Sequence, residues 1–193
     1  MTAPLVLASG SPRRIALLKA AGIECETLDP GADGPELGTT PAERVLGHAR
    51  HKADAGALRR PDCRVLAADT LVWAGSLALP KPRDAAEAEA MLRELEDRSH
   101  QVWTGVVLRE PDGSVRERAD RAQVRVRRYE PGELAAYLDG GEWRDKAGAY
   151  GIQGAAGAWA TLEEGDVETV IGLRIATVHE LLAGSPCSDA LDG

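Results

Sequence analysis

The residues best suited to chemistry lie near the start of the chain. Ala8-Ser9-Gly10-Ser11-Pro12-Arg13-Arg14 follows a short apolar run, Leu5-Val6-Leu7. The pattern predicts a strand, a tight turn and a helix start. Ser11 is placed to cap the helix, and Pro12 takes the first helical position, where no backbone N–H partner is needed. A helix N-terminus is already positive, so two arginines there cost about 0.3–1 kcal/mol each when nothing answers them. Small residues, backbone N–H groups, the hydroxyls of Ser9 and Ser11, and two guanidinium forks together describe an anion site matched to phosphate. A solvated basic first turn is the alternative for the same residues.

Further positions carry chemistry of their own. Asp69-Thr70 closes the apolar run Val65-Leu66-Ala67-Ala68. A carboxylate there can be a general base, a metal ligand, or a turn residue. Lys81 follows a predicted hairpin, in a position to present a cation beside that carboxylate; by itself it is a surface lysine before the turn at Pro82. Lys52 lies on a predicted helix and by itself reads as a solvated charge. His48 and His51 are three apart on that helix. No third ligand at a suitable spacing joins them, so exposed histidines are expected rather than a metal site. Asp145-Lys146-Ala147-Gly148-Ala149-Tyr150-Gly151-Ile152-Gln153-Gly154 sets small residues around an aromatic and an amide. Such a backbone lets a flat ligand come close, and Gln153 offers both a donor and an acceptor. A glycine-rich loop between strands is the plainer reading.

These residues need a frame. Ile23 to Leu28 reads as a strand and Asp29 to Thr39 as a loop. Thr40-Pro41-Ala42-Glu43 is a capping box, and Val45, Leu46, Ala49, Ala53 and Ala57 follow at helical spacing. Arg64 to Ala68 predicts a short buried strand ending at Asp69, and Leu71 to Leu79 a hairpin around Ala74-Gly75-Ser76. Asp84-Ala85-Ala86-Glu87 is a second capping box, ahead of Ala88, Met91, Leu92 and Leu95 on one helical face. His100 to Arg109 and Ser114 to Arg128 form a hairpin through Pro111-Asp112-Gly113. Pro131 to Leu138 predicts a short helix, Ala147 to Gly157 an irregular segment, and Arg174 to Ala183 the last helix. The tail, 185–193, is expected to be flexible. The fold expected is α/β: a mixed sheet with flanking helices in one unit over residues 1–184, drawn into two lobes with a cleft between them.

Composition narrows the partners. A chain of 193 residues can bury one good core. A net charge of -8 argues against nucleic acid bound through bulk charge. No apolar run approaches the length of a membrane span, and the first one is too short, and lacks a basic region before it, for a secretory signal. Cys25, Cys63 and Cys187 are odd in number, far apart and without a CxxC spacing. That speaks against a disulfide framework or zinc site and fits a reducing cytoplasm.

Taken together, the segments resemble the Maf family. The resemblance rests on Ala8-Ser9-Gly10-Ser11-Pro12-Arg13-Arg14 with Leu17-Leu18, on Ala68-Asp69-Thr70, and on Lys81-Pro82-Arg83-Asp84. It also rests on His100-Gln101-Val102 with Thr104-Gly105, on Asp145 through Gly154, and on Val170-Ile171-Gly172-Leu173. It spans the chain from about residue 4 to about residue 183. The resemblance implies a cytoplasmic nucleoside triphosphate pyrophosphatase that cuts between the α and β phosphates with a divalent cation, Mg²⁺ or Mn²⁺. It implies an elongated mixed sheet in two lobes, similar to the inosine triphosphatase fold, with the site in the cleft. Asp69 becomes the expected proton acceptor, with Lys81 beside it; by its own chemistry the Asp69 carboxylate is left open between ligating the metal, orienting water, and doing both. By their own chemistry, Ser9, Ser11, Arg13, Arg14, Lys52 and Lys81 are the candidates to hold the triphosphate's charges. Arg13, Thr70 and Gln153 fall on the family's specificity positions, and the form of the segment 145–154 is that of the branch acting on dTTP and UTP. A homodimer is left open.

Two departures from the family stand out. Where members carry Asp-Glu after the second strand, this chain has Asp33-Gly34, with Glu36 nearby. Where members often have proline ahead of Asp145, it has Trp143-Arg144, which alters the entrance to the glycine-rich segment and puts substrate choice in question. Two other readings therefore stay beside the enzyme acting on dTTP and UTP. One is a nucleotide-binding regulator of cell division with weak or no catalysis. The other is a pyrophosphatase of altered base specificity.

Overall fold

The computed structural model describes residues 3–31, 34–35 and 38–184. Asp33, Glu36 and Cys187, and the tail 185–193, lie outside the described residues. Along the chain run β1 (Leu5–Ala8), α1 (Pro12–Ala20), β2 (Glu26–Leu28), α2 (Pro41–Arg59), β3 (Arg64–Ala74), β4 (Leu77–Leu79), α3 (Ala85–Leu95), β5 (Arg98–Arg109), β6 (Val115–Val126), α4 (Glu133–Gly140), β7 (Ala160–Glu164), α5 (Val167–Ile171) and α6 (Ile175–Ala183). The strand order is β2-β1-β3-β5-β6-β7, with β4 paired to β3. β1 is parallel to both β2 and β3, while β4 and β7 pair antiparallel with β3 and β6. The sheet is therefore mixed, as expected.

The chain forms two compact units. The first takes its residues from before position 70, from 105–119 and from 173 onward; the second takes 70–104 and 120–172. In the first unit the strands alternate faces. Val65, Ala67 and Val107 pack with Ala49 and Ala53 of α2. Leu66, Ala68, Val106 and Leu108 pack on the other face with Leu18 of α1 and with Val178 and Leu181 of α6. A strand's period of two, with helices on both faces, gives this continuous apolar run. The second unit has one core, in which Met91, Leu92 and Leu95 of α3 meet Val102, Val124, Tyr137, Tyr150 and Trp159.

Several elements differ from the sequence reading. β3 does not end at Asp69 but runs through it to Ala74, because Val72 to Ala74 pair with β4. The Asp84 capping box is only half made. The Asp84 carboxylate accepts the Glu87 N–H, but the Glu87 carboxylate returns to the Arg83 N–H instead. The Thr40 box is complete. β2 is shorter than expected, and α4 starts at Glu133. β7 and α5 were not expected at all. Ala160 and Leu162 alternate with Thr161 and Glu163, but four residues with a single large apolar side chain are the shortest stretch that can mark a strand, and the five residues of α5 are too few to reveal a helical period.

Gly105 brings α2 close to β5. A Cβ there would lie 2.7 Å from the backbone carbon and oxygen of Val45 and 2.8 Å from the Leu46 nitrogen. Backbone cannot give way as a side-chain tip can, so Gly105→Ala should cost about 1–3 kcal/mol. A denaturant titration should show the midpoint falling with an unchanged slope.

Candidate active site

β1 ends in a turn whose polar groups fold inward. Ser9 is 4% exposed. Its hydroxyl oxygen accepts the Ser11 N–H at 3.2 Å and an Arg14 guanidinium N–H at 3.3 Å. Ser11 occupies the cap position of α1, with Pro12 next, but its hydroxyl makes no cap bond. Ser9 thus ties the turn together where Ser11 was expected to. Arg14 is buried, so a solvated first turn does not describe it. Arg13 is half-exposed. The first turn of α1 holds no acidic residue, so helix end and guanidinium groups add in the sense that attracts an anion.

The second group sits on the other face of the same sheet. Asp69 continues the alternation of Val65 and Ala67, so it faces α2. Lys52 lies between Ala49 and Ala53 on that helix and donates to Asp69 Oδ1 at 2.6 Å. The side chains are 8% and 21% exposed. Lys52 is therefore a buried cation with a carboxylate partner and not a solvated charge. Removing one member of such a pair typically costs about 3–5 kcal/mol, because the other is left buried and uncompensated. The positions Ala49, Lys52, Ala53 and Gly56 share one helical face, and that spacing was a signal for Lys52 burial in the sequence itself.

The remaining candidates belong to the second unit. Thr70 is half-buried, and its hydroxyl lies 2.9 Å from that of Thr104. Lys81 is exposed. The Asp69 carboxylate is bonded to the Lys52 ammonium group. The carbonyl of Pro80, next to Lys81, accepts the Gly148 N–H at 3.1 Å, which ties the Lys81 turn to the glycine-rich segment. Gln153 is exposed. The segment also packs against α3 and β4. Asp145 and Ala149 have φ of 59° and 63°, values that a side chain disfavours, so surrounding bonds must hold them. The Tyr137 hydroxyl donates to the Ala149 carbonyl at 3.1 Å.

The glycines here lie against the protein's own side chains. A Cβ at Gly148 would meet Val72 at 2.9 Å, and one at Gly151 would meet Lys146 at 2.6 Å. At Gly154 it would run into the Glu142 carboxylate. These positions make room for the protein's own side chains. Trp143 is also not an entrance residue. It is 5% exposed, donates its indole N–H to the Leu138 carbonyl at 3.0 Å, and carries Arg144 stacked 4.6 Å from its ring centre.

At the other departure, a Cβ on Gly34 would lie 2.5 Å from Cγ of His51. A longer side chain fits only if His51 moves. His51 is exposed and His48 half-exposed. Among the described residues no group of three or more His, Cys, Asp or Glu side chains could hold a metal ion. A magnesium-like cation held by one carboxylate and by substrate phosphate oxygens does not need one, and the Asp69 carboxylate suits that arrangement.

This chain belongs to the Maf family: the model described as Maf-like protein matches residues 4–185. A dTTP/UTP pyrophosphatase of Hyphomonas neptunium is 42% identical over 186 residues, covering 95% of this chain and 96% of the relative. One of Rhodospirillum rubrum is 43% identical over 196 residues, covering 98% and 91%. In fold, the chain has a partial likeness to the crystal structure of a nucleoside-triphosphatase / dITP/XTP pyrophosphatase from Mycobacterium abscessus. That match has a TM-score of 0.46 at 21% identity and covers 65% of this chain and 75% of that one.

One buried pair received no role from the sequence. His100 is 3% exposed, and its Nε2 lies 2.7 Å from the Tyr150 hydroxyl, with the rings edge to face at 88°. Burial pushes the imidazole down to about 4, opposed only in part by the Glu163 carboxylate. An unfolded histidine protonates near 6.5, so between those values the unfolded chain binds the extra proton. Stability from this group is complete above about pH 6.5 and is lost as the pH falls toward 4. Between pH 7 and 4.5, wild type should lose about 2 kcal/mol more than His100→Gln. Urea midpoints at the two pH values measure the difference.

Proposed function

We propose that this chain hydrolyses the α–β phosphoanhydride bond of dTTP and UTP, releasing the nucleoside monophosphate and pyrophosphate. The observation that carries the reading is the Lys52–Asp69 pair at 2.6 Å, a carboxylate fixed at the sheet by a buried cation. The relatives named dTTP/UTP pyrophosphatase support the substrate choice. No helix among the described residues is long and apolar enough to cross a membrane, and the cytoplasm is the proposed place of action.

The roles follow from residue chemistry. A triphosphate carries about four negative charges that must be held and screened for phosphoryl transfer. The Ser9-Ser11 turn with Arg13 and Arg14 is one cradle for them, and Lys81 supplies a further cation. Asp69 accepts the proton of the attacking water, holds the cation, or does both. Lys52 keeps the carboxylate oriented. Asp69, together with substrate phosphate oxygens, would hold a Mg²⁺ or Mn²⁺ ion, which would supply charge neutralisation. Thr70 and Gln153 face the base, where the two-sided amide of Gln153 matches the neighbouring carbonyl and N–H of uracil and thymine.

With Mg²⁺, the purified chain should release pyrophosphate from dTTP and UTP faster than from purine triphosphates. Orthophosphate as first product would make it another kind of phosphatase, and tight nucleotide binding without turnover would favour the regulator. Asp69→Asn keeps an oxygen to accept from Lys52 but cannot take a proton. It should lower kcat by about a hundredfold or more, with UTP affinity by calorimetry changed only a few-fold. Wild-type turnover in this variant would make Asp69 structural.

A further inference from the structure

Gln153 stands at the third place of a tight turn in the second unit. The Gly154 N–H donates to the Gly151 carbonyl at 3.0 Å, so Ile152 and Gln153 are the two central residues. Tyr150 before the turn and Ala156 after it are buried, whereas Gln153, Gly154 and Ala155 are exposed. No core packing fixes an exposed stretch of this kind. Its position has to come from side chains that reach over to it.

Glu142 reaches both ends of the turn. At the exit, its Oε2 accepts the Ala155 N–H at 3.1 Å and rests on Gly154, in the place that a Cβ would take. The φ of Gly154 is -101°, a value open to any residue, so the carboxylate and not the backbone conformation calls for glycine there. At the entry, the Glu142 carbonyl accepts from the Lys146 ammonium group. The stem of Lys146 covers Gly151, where a Cβ would lie 2.6 Å from it. Trp143 gives Glu142 a firm base, since it is buried and its indole N–H is bonded to the Leu138 carbonyl.

We propose that Glu142 is a positioning residue that holds the Gln153 turn from both ends and so sets how tightly the uracil or thymine base is bound. The inference rests on the reading above that Gln153 faces the base. An amide meets the neighbouring carbonyl and N–H of these bases only when both of its polar atoms lie at hydrogen-bond distance. A turn displaced by about one ångström loses that fit. Holding the turn in place beforehand spares the ordering cost when substrate binds. The phosphates are held by other residues, so they do not depend on this grip.

The test uses the full chain with Mg²⁺ and measures affinity for UTP and for inorganic triphosphate, which has no base, by calorimetry, together with kcat and KM for UTP. Glu142→Ala should weaken UTP binding by about tenfold, raise KM alike and spare kcat. Binding of inorganic triphosphate should stay as in wild type. Glu142→Gln keeps an oxygen to accept the Ala155 N–H and should bind UTP within about twofold of wild type. Gly154→Ala drives the carboxylate off the turn and should act like Glu142→Ala. It is read in place of that variant where Glu142→Ala does not fold, as judged by its melting transition. In a Gln153→Ala background, Glu142→Ala should add nothing. A further loss of UTP affinity there, an equal loss for inorganic triphosphate, or a glutamine variant as weak as the alanine one would overturn the proposal. So would a Gln153→Ala that weakens UTP binding while Glu142→Ala and Gly154→Ala do not, and Gln153 would still read the base. If Gln153→Ala leaves UTP affinity unchanged, the base-facing reading itself fails.

Discussion

The close seating of α2 on the sheet is the constraint from which the rest of the first unit follows. Gly105 admits the helix backbone, Gly56 sits where a Cβ would be 2.8 Å from Val65, and Ala49 and Ala53 fill the narrow gap. Only at such a distance does the Lys52 stem reach across to Asp69 while its charged head stays out of water. A larger residue in this stripe would lift the helix and part the ion pair. Packing density and chemistry are therefore one problem here. The smallest residues of the helix face are what allow the largest polar one to be buried.

The second unit solves a different problem. The chain contains no phenylalanine, so its aromatic core is built from tyrosine and tryptophan, each with a polar end to satisfy. Trp159 gathers Tyr129, Tyr137 and Tyr150 around it. The polar ends go to Leu92, to Ala149 and to His100. Burial raises the acid range of all three tyrosine hydroxyls, so they remain neutral, and those of Tyr129 and Tyr137 donate to carbonyls. Two of these bonds land on residues 149 and 150. The apolar core thus immobilises the glycine-rich segment through its polar handles, which is how Ala149 can hold a left-handed backbone.

Much of this was legible in the sequence, and the reasons differ from place to place. The Thr40 box, the helical face of Ala88, Met91, Leu92 and Leu95, and the turn at Asp112-Gly113 are local patterns, and the structure keeps them. Asp69 could be singled out as the polar end of an apolar run, but not as a residue inside a longer strand, since pairing with β4 decides that. Lys52 illustrates the limit of reading residues singly: its type suggests solvent, whereas its spacing from Ala49 and Ala53 points inward. The purpose of Gly148, Gly151 and Gly154 was not accessible at all, because it depends on Val72, Lys146 and Glu142 arriving from elsewhere. The bond by which the buried Thr104 hydroxyl donates to the Thr169 carbonyl was equally hidden, since the two lie 65 positions apart in the chain.

The way the sequence is shared between the two units has a consequence for assembly. Leu173, Val178 and Leu181 pack with Leu7, Leu18 and Leu66, so the first unit joins the two ends of the described chain. Its hydrophobic face stays uncovered until α6 has been made. All residues of the second unit precede Leu173, so its full complement leaves the ribosome earlier. The unit that starts first is thus completed last, and throughout synthesis β1, α1 and β3 wait with apolar surface open. Interactions between segments so distant in sequence are slow to form, and surface exposed in the interval is the kind on which chains associate wrongly. For this protein the vulnerable period falls before α6, not after its first strand.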